Sequence, residues 1–298
     1  MNDARKKTIL ANVVLLFVAM IWGGGFVAGK MAVSGTTPFA VLAYRFGFSA
    51  LLMFILFARR ILHCNHATAK RGLGIGVLQA FAMGVQLAGL QYTTSAKHAF
   101  LCTAYVAMVP FISWILFRKK VEIRALLSGL TALMGIALIS LNGTLSIGIG
   151  DSLSLGFAVL FGVQIVLIGK FADAQTDIFA FSFFQFLAAA GLALMVCILR
   201  GEDMAIHGSE ALIGVFYLIV PNTIFAFVAQ NIVQRYTTDT MASLILSLES
   251  LFGFLCSVIY YHETPSLRFF VGAALCFAAI LMNLTKGKRK VSDTQGGS

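Results

Sequence analysis

Charge is what this sequence has least of. Only 11% of its 298 residues are Asp, Glu, Lys or Arg, against about 25% in a water-soluble domain. With 59% hydrophobic residues and a mean hydropathy of +0.90, a soluble enzyme is excluded as the default reading. Proline is scarce as well, four in all, and the 28 glycines are scattered without a triplet period. With 27 phenylalanines beside them, collagen-like and disordered chains are excluded. The five cysteines (Cys64, Cys102, Cys197, Cys256 and Cys276) show no paired spacing. They read as small apolar packing residues and imply neither a disulfide framework nor a metal site.

Catalytic signatures are missing too. There is no HExxH, no GxSxG and no paired Cys/His cluster. Without a phosphate-binding loop an ATP-driven pump is excluded as a single chain, and no cofactor is implied. Gly148-Ile149-Gly150-Asp151 fits the GxGD string of intramembrane aspartyl proteases. It falls in a connection, and no second mid-membrane aspartate completes the dyad that such chemistry needs.

What the sequence has is long apolar runs. A membrane-crossing helix needs about 20 mostly apolar residues. Ten stretches qualify: 9–29, 38–58, 72–91, 98–117, 124–142, 153–170, 178–199, 210–234, 240–261 and 267–285. The connections between them are too short to hold a soluble domain. Inside lipid every backbone amide needs an internal partner, so these runs are helices. The expected fold is an all-α polytopic membrane protein of ten transmembrane helices. The first run follows Arg5-Lys6-Lys7 as a signal peptide would, but it continues past Trp22 to Gly29 without a cleavage site and reads as a retained helix.

The formal charge of +10 is placed where topology wants it. With a cytoplasmic N-terminus, most of the 22 basic residues fall on the inner side, among them Arg59-Arg60, Lys70-Arg71, Arg118-Lys119-Lys120 and the tail Lys286 to Lys290. Lys30, Lys97, Arg200 and Arg268 fall outside. This is the positive-inside pattern, and it places both termini in the cytoplasm of a cell whose cytoplasmic (inner) membrane holds the protein. No nucleic acid is implied.

The two halves echo each other. Gly29-Lys30 recurs as Gly169-Lys170, and Tyr92-Thr93-Thr94 recurs as Tyr236-Thr237-Thr238. In both places Thr, or the next polar residue (Ser95, Asp239), is suited to cap the following helix. Gly129 and Gly272 form a third match. The expected units are 1–145 and 146–298, the second ending in a basic tail, 286–298. Five spans per half is an odd number, so the repeats are inverted. Inverted repeats place a site between them near the bilayer midplane and allow alternating access.

On Ile21 to Lys30, Arg45-Phe46, Gly89 to Ala96, Pro110, Gln230 to Thr238, Leu246 to Ser250, Glu263 and Gly272, the chain resembles the drug/metabolite transporter superfamily, in particular proteins built from paired EamA-type domains. The resemblance covers nearly the whole chain. It implies ten helices around a central cavity and movement of small metabolites, often amino acids or amines, commonly outward. The chain departs from the family at Ser250, where proline is frequent, which weakens the case for a kink in the ninth span. It departs again at Arg118 to Glu122, where a Gly-Glu pair is usual.

Polar residues within the spans are the candidates for a substrate pathway. Glu249 is the only acid deep in a span, and a carboxylate there must be protonated or paired. That suits proton coupling, a substrate ammonium, or a helix-locking hydrogen bond. Ser243, Ser247 and Ser250 share its helix, but Glu249 points about 100° away from Ser250. Gln79, Met83 and Gln86 form one face that Gly72 and Gly76 continue, an adaptable cavity lining or a packing stripe. Trp22 with Gly23, Gly24 and Gly25 loosens the first span or lets helices approach closely. Tyr105, Gln164 and Pro221-Asn222 complete the pathway set. Arg45 reads as structural, and Gln185 is unassigned. The functional expectation is a metabolite carrier, with a proton-coupled efflux carrier for cationic compounds as the alternative and a channel or intramembrane enzyme as rivals of another class. The expected partners are the lipid bilayer and a small-molecule substrate.

Overall fold

The structure, a computed structural model, describes residues 3–93, 95–140, 148–173, 175–261 and 267–284. All regular structure among them is helical. The first half holds α1 (Asp3–Val33), α2 (Pro38–Leu62), α3 (His66–Leu90), α4 (Ser95–Cys102), α5 (Tyr105–Phe117) and α6 (Ile123–Ser140). The second holds α7 (Ile149–Phe171), α8 (Ile178–Arg200), α9 (Ser209–Ile219), α10 (Ala226–Val233), α11 (Asp239–Leu246), α12 (Glu249–Tyr261) and α13 (Leu267–Leu284). A π-helical segment, Val220–Phe225, joins α9 to α10.

Starts and stops follow local chemistry. Thr37, Asn65, Asp177 and Thr238 cap α2, α3, α8 and α11 by accepting backbone N–H groups, which satisfies donors that the first helical turn leaves free. Asp151 does the same for α7, taking the Gly148 N–H at 2.8 Å. The GxGD string is therefore a helix start. Gly201 ends α8 at φ 60, and Arg118 ends α5 at φ 55, a left-handed conformation that costs a side chain about 1–2 kcal/mol.

Among the described residues, seven helical stretches are long and apolar enough to cross a bilayer: Arg5–Val33, Pro38–Leu62, His66–Leu90, Ile149–Phe171, Ile178–Arg200, Ser209–Tyr236 and Asp239–Tyr260. Tyr105–Phe117, Ile123–Leu138 and Phe270–Met282 are shorter apolar helices. The fourth and ninth expected spans, 98–117 and 240–261, are each broken in two. At the breaks the backbone tightens into bonds three residues back, Val106 and Ala107 to Thr103 and Ala104, and Leu248 and Ser250 to Ile245 and Ser247. Side chains reinforce this, with Ser243, Ser247 and Ser250 each donating to a carbonyl three residues earlier and so competing with the helix's own ladder. The ninth span breaks even though Ser250, and not a proline, follows Glu249.

The first span corrects an expectation in the other direction. Its glycines do not bend α1, which runs unbroken. They let neighbours close in: a Cβ at Gly23 would lie 2.5 Å from that of Phe252 and 2.7 Å from the Gly253 nitrogen, while Gly24 and Gly25 abut Tyr217 and Asn222. Gly72 and Gly76 likewise press on the backbones of Phe181 and Gln185, so that part of the α3 stripe is packing.

The later helices of the halves correspond at one offset. α4, α5 and α6 match α11, α12 and α13 end for end, 144 residues apart. That register sets Gly129 against Ala273 instead of Gly272. Contacts recur in pairs: α1 packs on α9, α11 and α12, while α7 packs on α3, α4 and α5. α2 meets α8, and α6 meets α13, where the Cys276 thiol approaches the carbonyl of its counterpart Ala132. Large apolar side chains such as Ile55, Leu56, Ile198 and Leu199 are left exposed on the perimeter. Such a surface belongs in lipid.

Candidate functional site

Where α1, α2, α3, α7, the π segment and α12 converge lies a partly open pocket of about 50 Å³, mostly apolar in lining but with Arg45, Gln86, His98, Asn222 and Glu249 among its residues. Its wall is aromatic because these spans supply inward rings at one level. Trp22 stands 5.5 Å from Phe161 and 4.8 Å from Phe227, and Phe157 stacks on Phe161 at 5.1 Å. The Trp22 indole N–H donates to the Asn222 carbonyl at 3.1 Å. Asn222 lies in the π-helical segment that begins with Val220-Pro221, a distortion frequent at functional sites.

Glu249 enters the pocket from the first turn of α12, directly after the break. The buried Tyr105 hydroxyl donates to its Oε1 at 3.1 Å. Tyr105 opens α5 as Glu249 opens α12, so the bond joins equivalent positions of the two halves. On another wall the buried Arg45 donates from Nε to Thr223 Oγ1 and from Nη2 to Asn222 Oδ1, each at 2.6 Å. Arg45, expected to be structural, also lines the pocket. His98 also lines it. The Ser154 hydroxyl donates its one proton to the Gly150 carbonyl and lies 2.7 Å from His98 Nδ1. The histidine therefore carries its proton on Nδ1 and turns Nε2 toward the Cys102 sulfur at 3.4 Å.

Of the residues expected on a pathway, Trp22, Met83, Gln86, Asn222 and Glu249 meet at this pocket, with Tyr105 behind Glu249. Gly24 does not; it faces Tyr217. Gln79 and Gln164 lie one helical turn beyond the aromatic wall, in a second polar layer. There the Gln185 amide donates to Gln79, and Asn231 donates to Ser182 and Gln185. Among the described residues neither polar atom of Gln164 has a partner, nor do Gln79 Nε2 and Asn231 Oδ1. Pocket, aromatic wall and carboxamide layer follow one another along α3, α7 and α10.

Past that layer, charged contacts link the halves. Lys119 pairs with the buried Asp239, which also accepts from Ser113 at 3.1 Å. Arg71 reaches Asp173 at 2.8 Å. The Thr176 hydroxyl, and then Arg71, hold the Asp173 carboxyl below its ordinary value of 3.8. Neither His98 nor the phenylalanine wall stands out in the sequence; Arg45, expected there to be structural, does, as a charge well inside an apolar run.

A helical bundle with a lipid-compatible perimeter and a pocket lined in part by buried polar residues defines a multi-pass membrane protein built to handle a small molecule. More particularly, residues 9–141 and 148–285 each match the EamA-like transporter family, and the chain belongs to it. It is 30% identical over 279 residues to a protein of Archaeoglobus fulgidus named only as an uncharacterized transporter, covering 93% of this chain and 86% of that one. It is 23% identical to the uncharacterized transporter YoaV of Bacillus subtilis, covering 93% and 98%. A solved crystal structure superposes with a TM-score of 0.77 over 94% of this chain and 98% of the other, at 17% identity. That likeness concerns the fold alone.

Proposed function

We propose that the protein is a carrier that moves small organic metabolites, amino acids, amines or similar compounds, outward across the cytoplasmic membrane by alternating access. Its ten spans form two inverted five-helix repeats, 1–145 and 146–298, with both termini cytoplasmic and each broken pair α4–α5 and α11–α12 counted as one span. The observation that carries this reading is a pocket built by both halves, with equivalent residues Tyr105 and Glu249 bonded beside it. Matched helix contacts give such a protein two packings related by exchange of the halves, opening to opposite sides. Trp22, Gly24, Gln79, Met83, Gln86, Tyr105, Gln164, Asn222 and Glu249 are the proposed pathway, the carboxamide layer becoming wall when the other side opens. A pocket of about 50 Å³ is far below the roughly 300 Å³ of a ligand site, so the walls must part to admit substrate.

Counterflow in proteoliposomes tests this. A carrier preloaded with unlabelled leucine or isoamylamine takes up the labelled compound faster and saturably; flux indifferent to preloading points to a channel and overturns the reading. Proton coupling is assigned to Glu249. Glu249→Gln abolishes the pH dependence of uptake while retaining exchange, and an unaltered pH profile removes the residue from that role.

A further inference from the structure

Arg45 is a buried cation with no counter-ion among the described residues. It is 5% exposed, and among the described residues no carboxylate lies within 4.0 Å of it. Glu249 shares the pocket but bonds to Tyr105. Of the five N–H donors of a guanidinium, two reach the oxygens of Thr223 and Asn222. Nη1 has only the Met83 sulfur, at 4.0 Å. The rings of Phe46 and Phe227 stand 5.3 and 5.8 Å from the guanidinium carbon, which softens the cost of the charge without neutralising it. Asn222 and Thr223 project from the π turn, so the guanidinium is held at both Nε and Nη2 while Nη1 stays available.

A fixed planar donor group with spare N–H bonds, in a site shielded from water, is the arrangement that takes a carboxylate in two parallel bonds. Leaving the charge unpaired in hydrocarbon is expensive, and an arriving anion removes that cost. We propose that Arg45 is the anchor for an organic carboxylate whose apolar body lies against Trp22, Phe161 and Phe227. The inference rests on the pocket being the transport site. It disfavours cations that lack an acid group, which would meet the arginine's charge at close range.

The test is thermal unfolding of the purified full-length protein with four compounds of one hydrocarbon body: leucine, 4-methylpentanoate, leucinamide and isoamylamine. Expected is a rise of about 2–4 °C with the two acids, none with the amide or amine, and loss of the rise in Arg45→Gln. Asn222→Asp is the second variant, because it leaves Arg45 in place but supplies an internal carboxylate. It should melt no lower than the wild type and lose the response to acids. The inference is overturned if the amine or amide stabilises as well as the acids, if either variant keeps the acid response, or if neither acid stabilises the wild type. Counterflow separates it from the broader reading. Exchange of isoamylamine that ignores Arg45 removes the anion site and keeps the carrier, whereas Arg45-dependent acid binding without exchange does the reverse.

Discussion

Gly23 sits where α1 crosses α12, and a methyl group there would meet the Phe252 Cβ at 2.5 Å, which is fixed to its backbone, and two backbone atoms, the Gly253 nitrogen at 2.7 Å and the Phe252 carbonyl carbon at 2.8 Å. Backbone cannot rotate away, so Gly23→Ala forces the helices apart and should cost about 1–3 kcal/mol, read as a lowered melting temperature. Gly25→Ala meets the end of the Asn222 side chain, which is able to swing. It should cost less stability but disturb the oxygen that Arg45 holds. The run of glycines is plain in the sequence, and so is Glu249. What faces each glycine is not, because small-residue spacing states that something approaches without stating what. Tyr105 and Glu249 show the same limit: each stands out singly, and nothing in either neighbourhood says that one bonds to the other across the molecule.

Among the helices, the informative features are interruptions. Hydropathy averages over a window, so it reads 98–117 and 240–261 as continuous spans and passes over breaks of two residues. The serines at 243, 247 and 250 were visible as a stripe. Their effect depends on each hydroxyl turning to its own backbone, a choice left open by the pattern. The segment from Arg118 to Glu122, where the chain departs from its family, becomes the connection between α5 and α6 and lets Lys119 reach Asp239 on α11. Nearby, the connection between α7 and α8 is fastened to α3 by Asp173 and Arg71. Because the Asp173 carboxyl is held low by Thr176 and Arg71, the contact contributes at neutral pH and fades as pH falls through that lowered value. Asp173→Asn should melt slightly below the wild type at pH 7, and the two curves should converge in acid. The gap should be small, since both side chains are partly exposed.

At the scale of the whole molecule, the proposed five spans per half require the second repeat to run opposite to the first. In sequence, residues 118–122 follow α5 as residues 262–266 follow α12, so the proposed inversion requires the two segments to lie on opposite faces of the membrane. Single cysteines at Lys120 and Thr264, in a background lacking the native five, should react with an impermeant maleimide from opposite sides of sealed vesicles. Labelling from one side would refute the inverted arrangement.

Composition and the length of the apolar runs settled by themselves that this chain is helical and membrane-embedded, because lipid leaves a backbone no other way to satisfy its hydrogen bonds. Short echoes such as Gly29-Lys30 and Gly169-Lys170 already hinted at the duplication. Tertiary structure alone decided that Arg45 turns into the pocket, that Gln79 lies beyond the aromatic wall, and that Tyr105 finds Glu249. A helix's periodicity fixes which residues share a face. Which neighbour that face meets, and at what depth, depends on how the spans cross, and crossings are set by packing between segments distant in the chain.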